Sequence, residues 1–138
     1  MSEAPARDMA TRAARVLLYS DNSTTRQDVR RAVGGRVGTQ GVALEWTEVA
    51  TPTVAVEEAK AGGYDLLVLD GEAGKFSGIG IARTVEDEMD GPPPILLLLA
   101  RPQDEWLAAW SGAGRTLAYP ADPFEFAQTV AEMLSADA

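Results

Sequence analysis

Residues 65–80 read DLLVLDGEAGKFSGIG, and this stretch decides the fold. Its first part is apolar without any alternation, which is typical of a strand buried on both faces of a parallel sheet. The glycines and polar side chains that follow indicate a loop. A strand of this kind needs helices on both faces of its sheet, so an α/β fold is expected. Either the loop binds a nucleotide phosphate, or Asp70 at the end of the strand carries the chemistry.

The loop does not match a nucleotide-binding signature. A phosphate loop reads G-x-x-x-x-G-K-[ST], but Leu69 stands where the first glycine belongs and Phe76 stands where a Ser or Thr belongs. The G-x-G-x-x-G pattern also fails, because Arg83 stands where the third glycine belongs. The functional interest of the stretch therefore falls on Asp70.

The composition describes an acidic chain that can fold on its own. Its 138 residues suit one domain, and 46% of them are hydrophobic. The formal charge of -9 and the sequence pI of about 4.4 argue against binding to nucleic-acid phosphates and against adsorption to anionic membranes. The absence of Cys and His excludes thiol chemistry, disulfides, the usual zinc sites and histidine acid–base chemistry.

The amino-terminal residues 1–14 carry several charges and no apolar block, so no signal peptide is visible. The longest apolar run, residues 95–100, is far too short to span a bilayer. We therefore expect a disordered tail over residues 1–14, one domain over residues 15–138, and a cytoplasmic protein.

The spacing of apolar and turn residues predicts strands that alternate with helices along the whole chain. The predicted strands cover residues 15–20, 42–49, 65–70, 95–99 and 116–119. The predicted helices cover residues 24–33, 52–61, 79–89 and 103–110, and a last helix begins at Asp122-Pro123. This (βα)5 order predicts a doubly wound parallel sheet with the flavodoxin-like strand order 2-1-3-4-5.

The strand order predicts where a ligand would bind. In an open parallel sheet, ligands bind beyond the carboxyl ends of the strands, where the strand order reverses. Here that point lies between the first and third strands, which lead into Asp21 and Asp70. Two carboxylates far apart in sequence should therefore share one crevice. Each also has a structural interpretation, Asp21 as the cap of the next helix and Asp70 as a turn residue.

Residues 15–135 resemble the receiver domain of bacterial two-component response regulators. The resemblance rests on motifs in the family's order: the Ser20-Asp21 pair, Asp70 at the end of a VLD strand, Gly78 before the third helix, the strand PILLLLA and the Pro123-Phe124 pair. The segment DGEAGKFSGIGIA is also similar to atypical single-domain receivers of actinobacteria. The resemblance implies a signalling protein that is not an enzyme.

The resemblance also assigns roles to individual residues. Asp70 stands at the phosphoacceptor position, where a carboxylate attacks a phosphoryl group. Asp21, Asp70 and Glu72 are the residues expected to hold Mg²⁺, which offsets the negative charge of the site. We expect the Mg²⁺ affinity to be weak, because Ser20 supplies no charge at the other position of the acidic pair.

Three positions depart from the family pattern. Ser20 replaces one acid of the pair, Leu99 replaces the hydroxyl residue that ends the fourth strand, and Asp122 replaces the lysine before the Pro-Phe pair. Asp122 also begins a cap pattern with a first-turn proline, so a capping role stands beside a metal-ligand role. Lys75 and Arg101 are the cations expected to contact phosphate in place of the missing lysine.

An aromatic group near the end of the chain predicts a binding surface. Trp106 and Trp110 are four residues apart, so they share one face of the helix predicted over residues 103–110. They are either core residues or, with Tyr119 on the next strand, a protein-binding surface. The expected partners are a sensor kinase, a downstream protein, or a second copy of the chain that forms a homodimer through this helix and strand.

Three functional hypotheses follow from these observations. The first is an atypical single-domain response regulator that acts by protein–protein interaction, modulated by phosphorylation of Asp70. The second is a pseudo-receiver that binds its partners without phosphorylation. The third is a small flavodoxin-like nucleotide binder, which the missing phosphate loop and the absence of His and Cys disfavour.

Overall fold

The computed structural model describes residues 13–71, 78–100 and 111–136. The strands in these ranges are β1 (Ala14–Tyr19), β2 (Arg36–Val37), β3 (Val42–Val49), β4 (Leu66–Asp70), β5 (Ile95–Leu99) and β6 (Arg115–Ala118). The helices are α1 (Ser23–Val33), α2 (Pro52–Ala61), α3 (Gly78–Glu88) and α4 (Pro123–Ala136). The helix predicted over residues 103–110 and most of the predicted tail lie outside the described ranges.

The strands form one sheet with the order β2-β3-β1-β4-β5-β6. Five of these strands are parallel to one another and lie in the order β3-β1-β4-β5-β6. Counted without β2, this is the predicted order 2-1-3-4-5. The α/β fold and its strand order are therefore confirmed. The short strand β2 was not predicted, and it pairs antiparallel with the start of β3 at the edge of the sheet.

Alternate residues of the central strands enter two separate cores. One core lies under α2 and α3 and includes Leu67 and Leu97. The other core lies under α1 and α4 and includes Val68 and Leu96. Because apolar side chains are needed on both faces, β4 and β5 are apolar at successive positions rather than at every second one.

The helices begin and end at the residues that the sequence patterns indicate. The side chain of Asn22 accepts hydrogen bonds from the amides of Thr24 and Thr25 and caps α1. The hydroxyl of Thr51 accepts from the amide of Val54 and caps α2. Glycines with positive φ follow both helices, where residues with a Cβ are disfavoured. These caps fix the points at which α1 and α2 leave the ends of β1 and β3.

The described helices are short. The longest, α4, has 14 residues, whereas about 20 apolar residues are needed to cross a bilayer. Within the described ranges no helix is long and apolar enough to span a membrane.

Candidate functional site

The carboxyl ends of the central strands open into a cleft of about 230 Å³. Its described lining comes from the ends of several strands and the start of α1, and consists of Asp21, Asn22, Thr25, Asp70, Leu98, Ala100 and Tyr119. The two carboxylates predicted to share a crevice, Asp21 and Asp70, both line it. Because β1 and β4 are adjacent and parallel, Asp70 at the end of β4 and Asp21 just beyond β1 meet at the carboxyl end of the sheet.

Ser20 connects these two strand ends. Its hydroxyl donates a hydrogen bond of 2.8 Å to Oδ2 of Asp70 and accepts one of 3.1 Å from the amide of Asn22. Ser20 is fully buried. The residue that replaces one acid of the family's pair therefore holds the Asp70 carboxylate directly, instead of adding a charge beside it.

Arg26 of α1 contacts the backbone of Ser20, and no pattern in the sequence indicated this role. Its Nη1 donates a hydrogen bond of 2.6 Å to the carbonyl of Ser20, and its Nε lies 3.0 Å from Oε1 of Glu48. Arg30 contacts the other oxygen of Glu48 at 2.8 Å. The hydrogen bond from Arg30, followed by that from Arg26, lowers the pKa of Glu48 despite its partial burial.

Gly78 packs against the backbone of the proposed acceptor. A Cβ at Gly78 would lie 2.6 Å from the carbonyl oxygen of Asp70 and 2.9 Å from the Cβ of Leu69. Contacts of this kind with backbone atoms cannot be relieved by rotating a side chain. Glycine at this position therefore allows α3 to begin directly against the end of β4, as the family motif predicts.

The described part of the cleft is electrostatically negative. Burial raises the pKa of Tyr19, and the nearby charges of Asp21 and Asp70 raise it further. Burial likewise raises the pKa of Tyr119, followed by the effects of Asp28 and Asp70. No Lys or Arg is among the described residues that line the cleft. A cation or a set of hydrogen-bond donors would therefore be favoured there.

The side chains of the cleft fit a hard cation in part. Asp21 and Asp70 supply carboxylate oxygens, which are the ligands that Mg²⁺ prefers. Among the residues that the structure describes, however, no three acidic side chains come together as a metal-binding group. The third expected ligand, Glu72, lies outside the described residues, as do Lys75 and Arg101.

Of the two roles predicted for Asp122, the structure shows the capping role. Asp122 is exposed and caps α4, since its Oδ2 accepts a hydrogen bond of 3.0 Å from the amide of Glu125. It is not among the described residues of the cleft, and Tyr119 is the side chain that reaches the cleft from the end of β6. The metal-ligand role predicted as the alternative has no support among the described residues of the cleft.

Leu99, which stands at the family's hydroxyl position, is not among the described residues of the cleft. Leu99 is buried in the core under α2 and α3, on the other face of the sheet from Leu98, which lines the cleft.

Tyr119 is half-buried in the cleft, and its hydroxyl lies 3.5 Å from Oδ2 of Asp28. Tyr119 is therefore one of the residues that line the cleft. Trp106 and Trp110 lie outside the described residues, and their role stays a prediction.

Comparison with known proteins points to one family. No protein-family model matches the sequence. The chain is 44% identical over 126 residues to an uncharacterized response regulatory protein of Mycobacterium tuberculosis, and the match covers 91% of this chain and 95% of that protein. The same identity and coverage are found for the corresponding protein of a second strain.

Solved structures share the fold at lower sequence identity. A CheY-like response regulator receiver domain from Methanospirillum hungatei has a TM-score of 0.73 and 14% identity, with 91% of this chain and 96% of that chain covered. The receiver domain of a Francisella response regulator has a TM-score of 0.74 and 17% identity, with 91% and 99% covered. The fold follows from these likenesses, and the family follows from the mycobacterial relatives. The chain thus belongs to the response regulatory proteins, as a receiver domain of two-component signalling.

Proposed function

We propose that this chain is an atypical single-domain response regulator that acts by binding other proteins, and that phosphorylation of Asp70 modulates this binding. Response regulators of this family are signalling proteins of a non-enzymatic kind, and receiver domains interact with sensor kinases and downstream proteins. The observation that carries the proposal is the convergence of Asp70, Asp21 and Ser20 at the carboxyl ends of β4 and β1.

The proposed reaction transfers a phosphoryl group from a phosphodonor to the carboxylate of Asp70. A carboxylate oxygen of Asp70 forms a bond to phosphorus, while the bond between phosphorus and the donor's leaving oxygen breaks. The leaving group departs with that electron pair, and the product is an aspartyl phosphate. The hydrogen bond from Ser20 orients the carboxylate before the attack and restricts its rotation.

Mg²⁺ is the proposed cofactor, held by Asp21 and Asp70 with Glu72 as the third candidate. When bound, it would offset the negative charge that collects on the phosphoryl oxygens. The proposed affinity is weak, because Ser20 provides a hydroxyl where a third carboxylate would strengthen binding. Asp21 is exposed at the mouth of the cleft, so a cation can reach it from solvent.

The proposed structural response to phosphorylation is small. Leu99 has no hydroxyl that could contact a phosphoryl oxygen, and its side chain is buried in the core under α2 and α3. A modification shifts a conformational equilibrium only by its differential interaction with the two states. Without a hydroxyl contact from this position to the phosphoryl group, the difference in interaction between the two states is small. The alternative function, a pseudo-receiver that binds partners without phosphorylation, is favoured by the same feature.

Mass spectrometry after incubation with acetyl phosphate and Mg²⁺ tests the proposal. The expected result is one phosphoryl adduct that maps to Asp70, is lost on treatment with hydroxylamine, and is absent from Asp70→Asn. Asp21→Asn should retain the acceptor and form the adduct more slowly. Asp122→Asn is the matched control, because Asp122 is a helix cap outside the described cleft, and its adduct should form at the wild-type rate. No adduct on the wild-type protein would leave the pseudo-receiver as the function.

A further inference from the structure

A phosphoryl group on Asp70 would need hydrogen-bond donors that the described cleft supplies only sparingly. The lining contains two carboxylates and no Lys or Arg among its described residues. Three described side chains in it can donate a hydrogen bond: Asn22, Thr25 and Tyr119. Asn22 and Thr25 stand together at the start of α1, where Asn22 caps the helix. Tyr119 enters from the other wall, beyond the end of β6.

The hydroxyl of Tyr119 is held only weakly in its present position. It lies 3.5 Å from Oδ2 of Asp28, at the long limit for a hydrogen bond. Asp28 is exposed on α1 and also forms an ion pair with Arg31 at 3.4 Å. The Tyr119 ring packs against the core under α1 and α4, so the hydroxyl can exchange partners while the ring stays in place.

The cleft also keeps this hydroxyl in its donor form. Burial, the charge and hydrogen bond of Asp28, and the charge of Asp70 all raise the pKa of Tyr119. A neutral phenol is a donor, and a phosphoryl group carries three strong acceptor oxygens with more charge than the carboxylate of Asp28.

We propose that the Tyr119 hydroxyl is the group that recognises a phosphoryl group on Asp70, and that Asp28 competes for the same hydroxyl when Asp70 is unmodified. The inference rests on the proposed phosphorylation of Asp70. It assigns phosphoryl recognition to a neutral hydroxyl from the end of β6, in place of the cation expected from the family pattern. The exchange would release Asp28 from the hydroxyl of Tyr119, while α1 stays packed on its core.

Binding of beryllium trifluoride with Mg²⁺, a mimic of a phosphoryl group, tests the inference by titration calorimetry. Tyr119→Phe removes only the hydroxyl and should weaken the affinity about tenfold, the size expected for one hydrogen bond to a charged acceptor. Tyr64→Phe is the matched control. It deletes another hydroxyl that is hydrogen-bonded to a carboxylate, that of Glu58 at 2.6 Å, in the core under α2 and α3. Its affinity should equal that of the wild type.

Asp28→Ala gives the opposite prediction. Removing the competitor should tighten binding of the mimic several-fold, because the hydroxyl no longer has to leave an acceptor. A double-mutant cycle separates this effect from the loss of a distant negative charge. If Asp28 acts through Tyr119, Asp28→Ala changes nothing in the Tyr119→Phe background. An equal gain in both backgrounds would overturn the competition between Asp28 and the phosphoryl group.

The outcomes distinguish the inference from the proposed function. An adduct on Asp70 with unchanged affinity in Tyr119→Phe overturns only the role of Tyr119. The absence of both an adduct and mimic binding in the wild-type protein overturns the proposed function and the inference together. If Tyr119→Phe fails to fold, Asp28→Ala alone decides, because an affinity equal to that of the wild type contradicts the competition.

Discussion

The hydroxyl of Ser20 donates a 2.8 Å hydrogen bond to Oδ2 of Asp70, across the boundary between the neighbouring strands β1 and β4. With serine at position 20, Asp70 is stabilised by a hydrogen bond, where an acidic residue would depend on a bound cation. An acidic side chain at position 20 would add charge for a cation and would repel Asp70 when no cation is bound. The serine instead gives one carboxylate oxygen of Asp70 a hydrogen-bond donor and adds no negative charge beside it.

Ser20→Ala should destabilise the protein by about 1–3 kcal/mol, because a buried hydrogen-bond pair loses its hydroxyl partner. Both the Asp70 carboxylate and the Asn22 amide lose a contact. The free energy of unfolding from urea titrations gives the measurement. Ser23→Ala, at an exposed position at the start of α1, is the control and should change stability by less than about 0.5 kcal/mol. Equal effects of the two variants would show that the Ser20 contact adds no stability.

Ser20→Asp should make the stability of the protein depend on Mg²⁺. Without the cation, a third carboxylate at a fully buried position beside Asp70 is expected to lower the melting temperature. Added Mg²⁺ should raise that temperature more than in the wild type, since a ligand that binds the folded state more tightly stabilises it more. Ser20→Asn, of similar size and without charge, is the control. A Mg²⁺ response as large in Ser20→Asn as in Ser20→Asp would contradict the assignment of the metal site.

Gly78→Ala should disturb Asp70 as well as the fold. The added methyl group would meet the carbonyl of Asp70 at 2.6 Å, and we expect a cost of about 1–3 kcal/mol and slower phosphorylation of Asp70. Gly35→Ala adds the same group where no atom lies within 4 Å, and it should be close to neutral. Thermal unfolding and the rate of adduct formation check both variants. A wild-type rate in Gly78→Ala would mean that the contact does not constrain the acceptor.

The ion pairs of Glu48 predict a pH dependence of stability. Two arginines lower its pKa below the ordinary value of 4.5, so the stabilisation is complete above that value and is lost as the pH falls through the folded-state pKa. Glu48→Gln should therefore be less stable than the wild type at neutral pH, and the difference should shrink in acid. Urea unfolding at pH 7 and at about pH 3 measures it. Glu57→Gln, an exposed substitution on α2, should show no such trend.

Two phenylalanines of α4 test which face of that helix is buried. Phe126 is fully buried in the core under α1, whereas Phe124 is 76% exposed. Phe126→Ala should cost about 3–5 kcal/mol, and Phe124→Ala should stay within about 0.5 kcal/mol of the wild type. Denaturant midpoints provide the comparison. A larger loss of stability in Phe124→Ala than in Phe126→Ala would contradict the orientation of α4 described here.

The central part of the fold was predictable because its signals are strong and local. The apolar run at residues 95–99 coincides with β5, and β4 ends at Asp70 as predicted, since uniform apolarity stops sharply at polar residues. The predicted start of the last strand was one residue late, because β6 is short and its two ends are exposed. The strand β2 was missed, because two residues are too few to show any periodicity.

The candidate site was predictable only as far as strand order determines it. Asp21 stands just beyond β1 and Asp70 ends the adjacent strand β4, so their meeting in one cleft could be predicted without any side-chain detail. The capping role of Asp122 was predictable from the pattern Asp122-Pro123-Phe124-Glu125. The approach of Tyr119 to the cleft was not predicted, because no local pattern reports where the first side chain beyond a short strand points. The reach of Arg26 to the carbonyl of Ser20 depends on the rotamer of a long side chain, which no pattern in the sequence reports.

An exposed sheet edge is a template onto which another chain can add a strand, and each edge of this sheet ends in a short strand. At one edge β2 covers Val42 and Ala43, and the amide of Leu44 donates to the carbonyl of Gly35. At the other edge β6 is only four residues long and begins with Arg115, which pairs with a glutamate of α4 at 2.8 Å. Short, charged and covered edges discourage amyloid-like growth. Specific recognition of this protein is therefore expected to use side chains on its helices and loops, and not backbone pairing along the sheet.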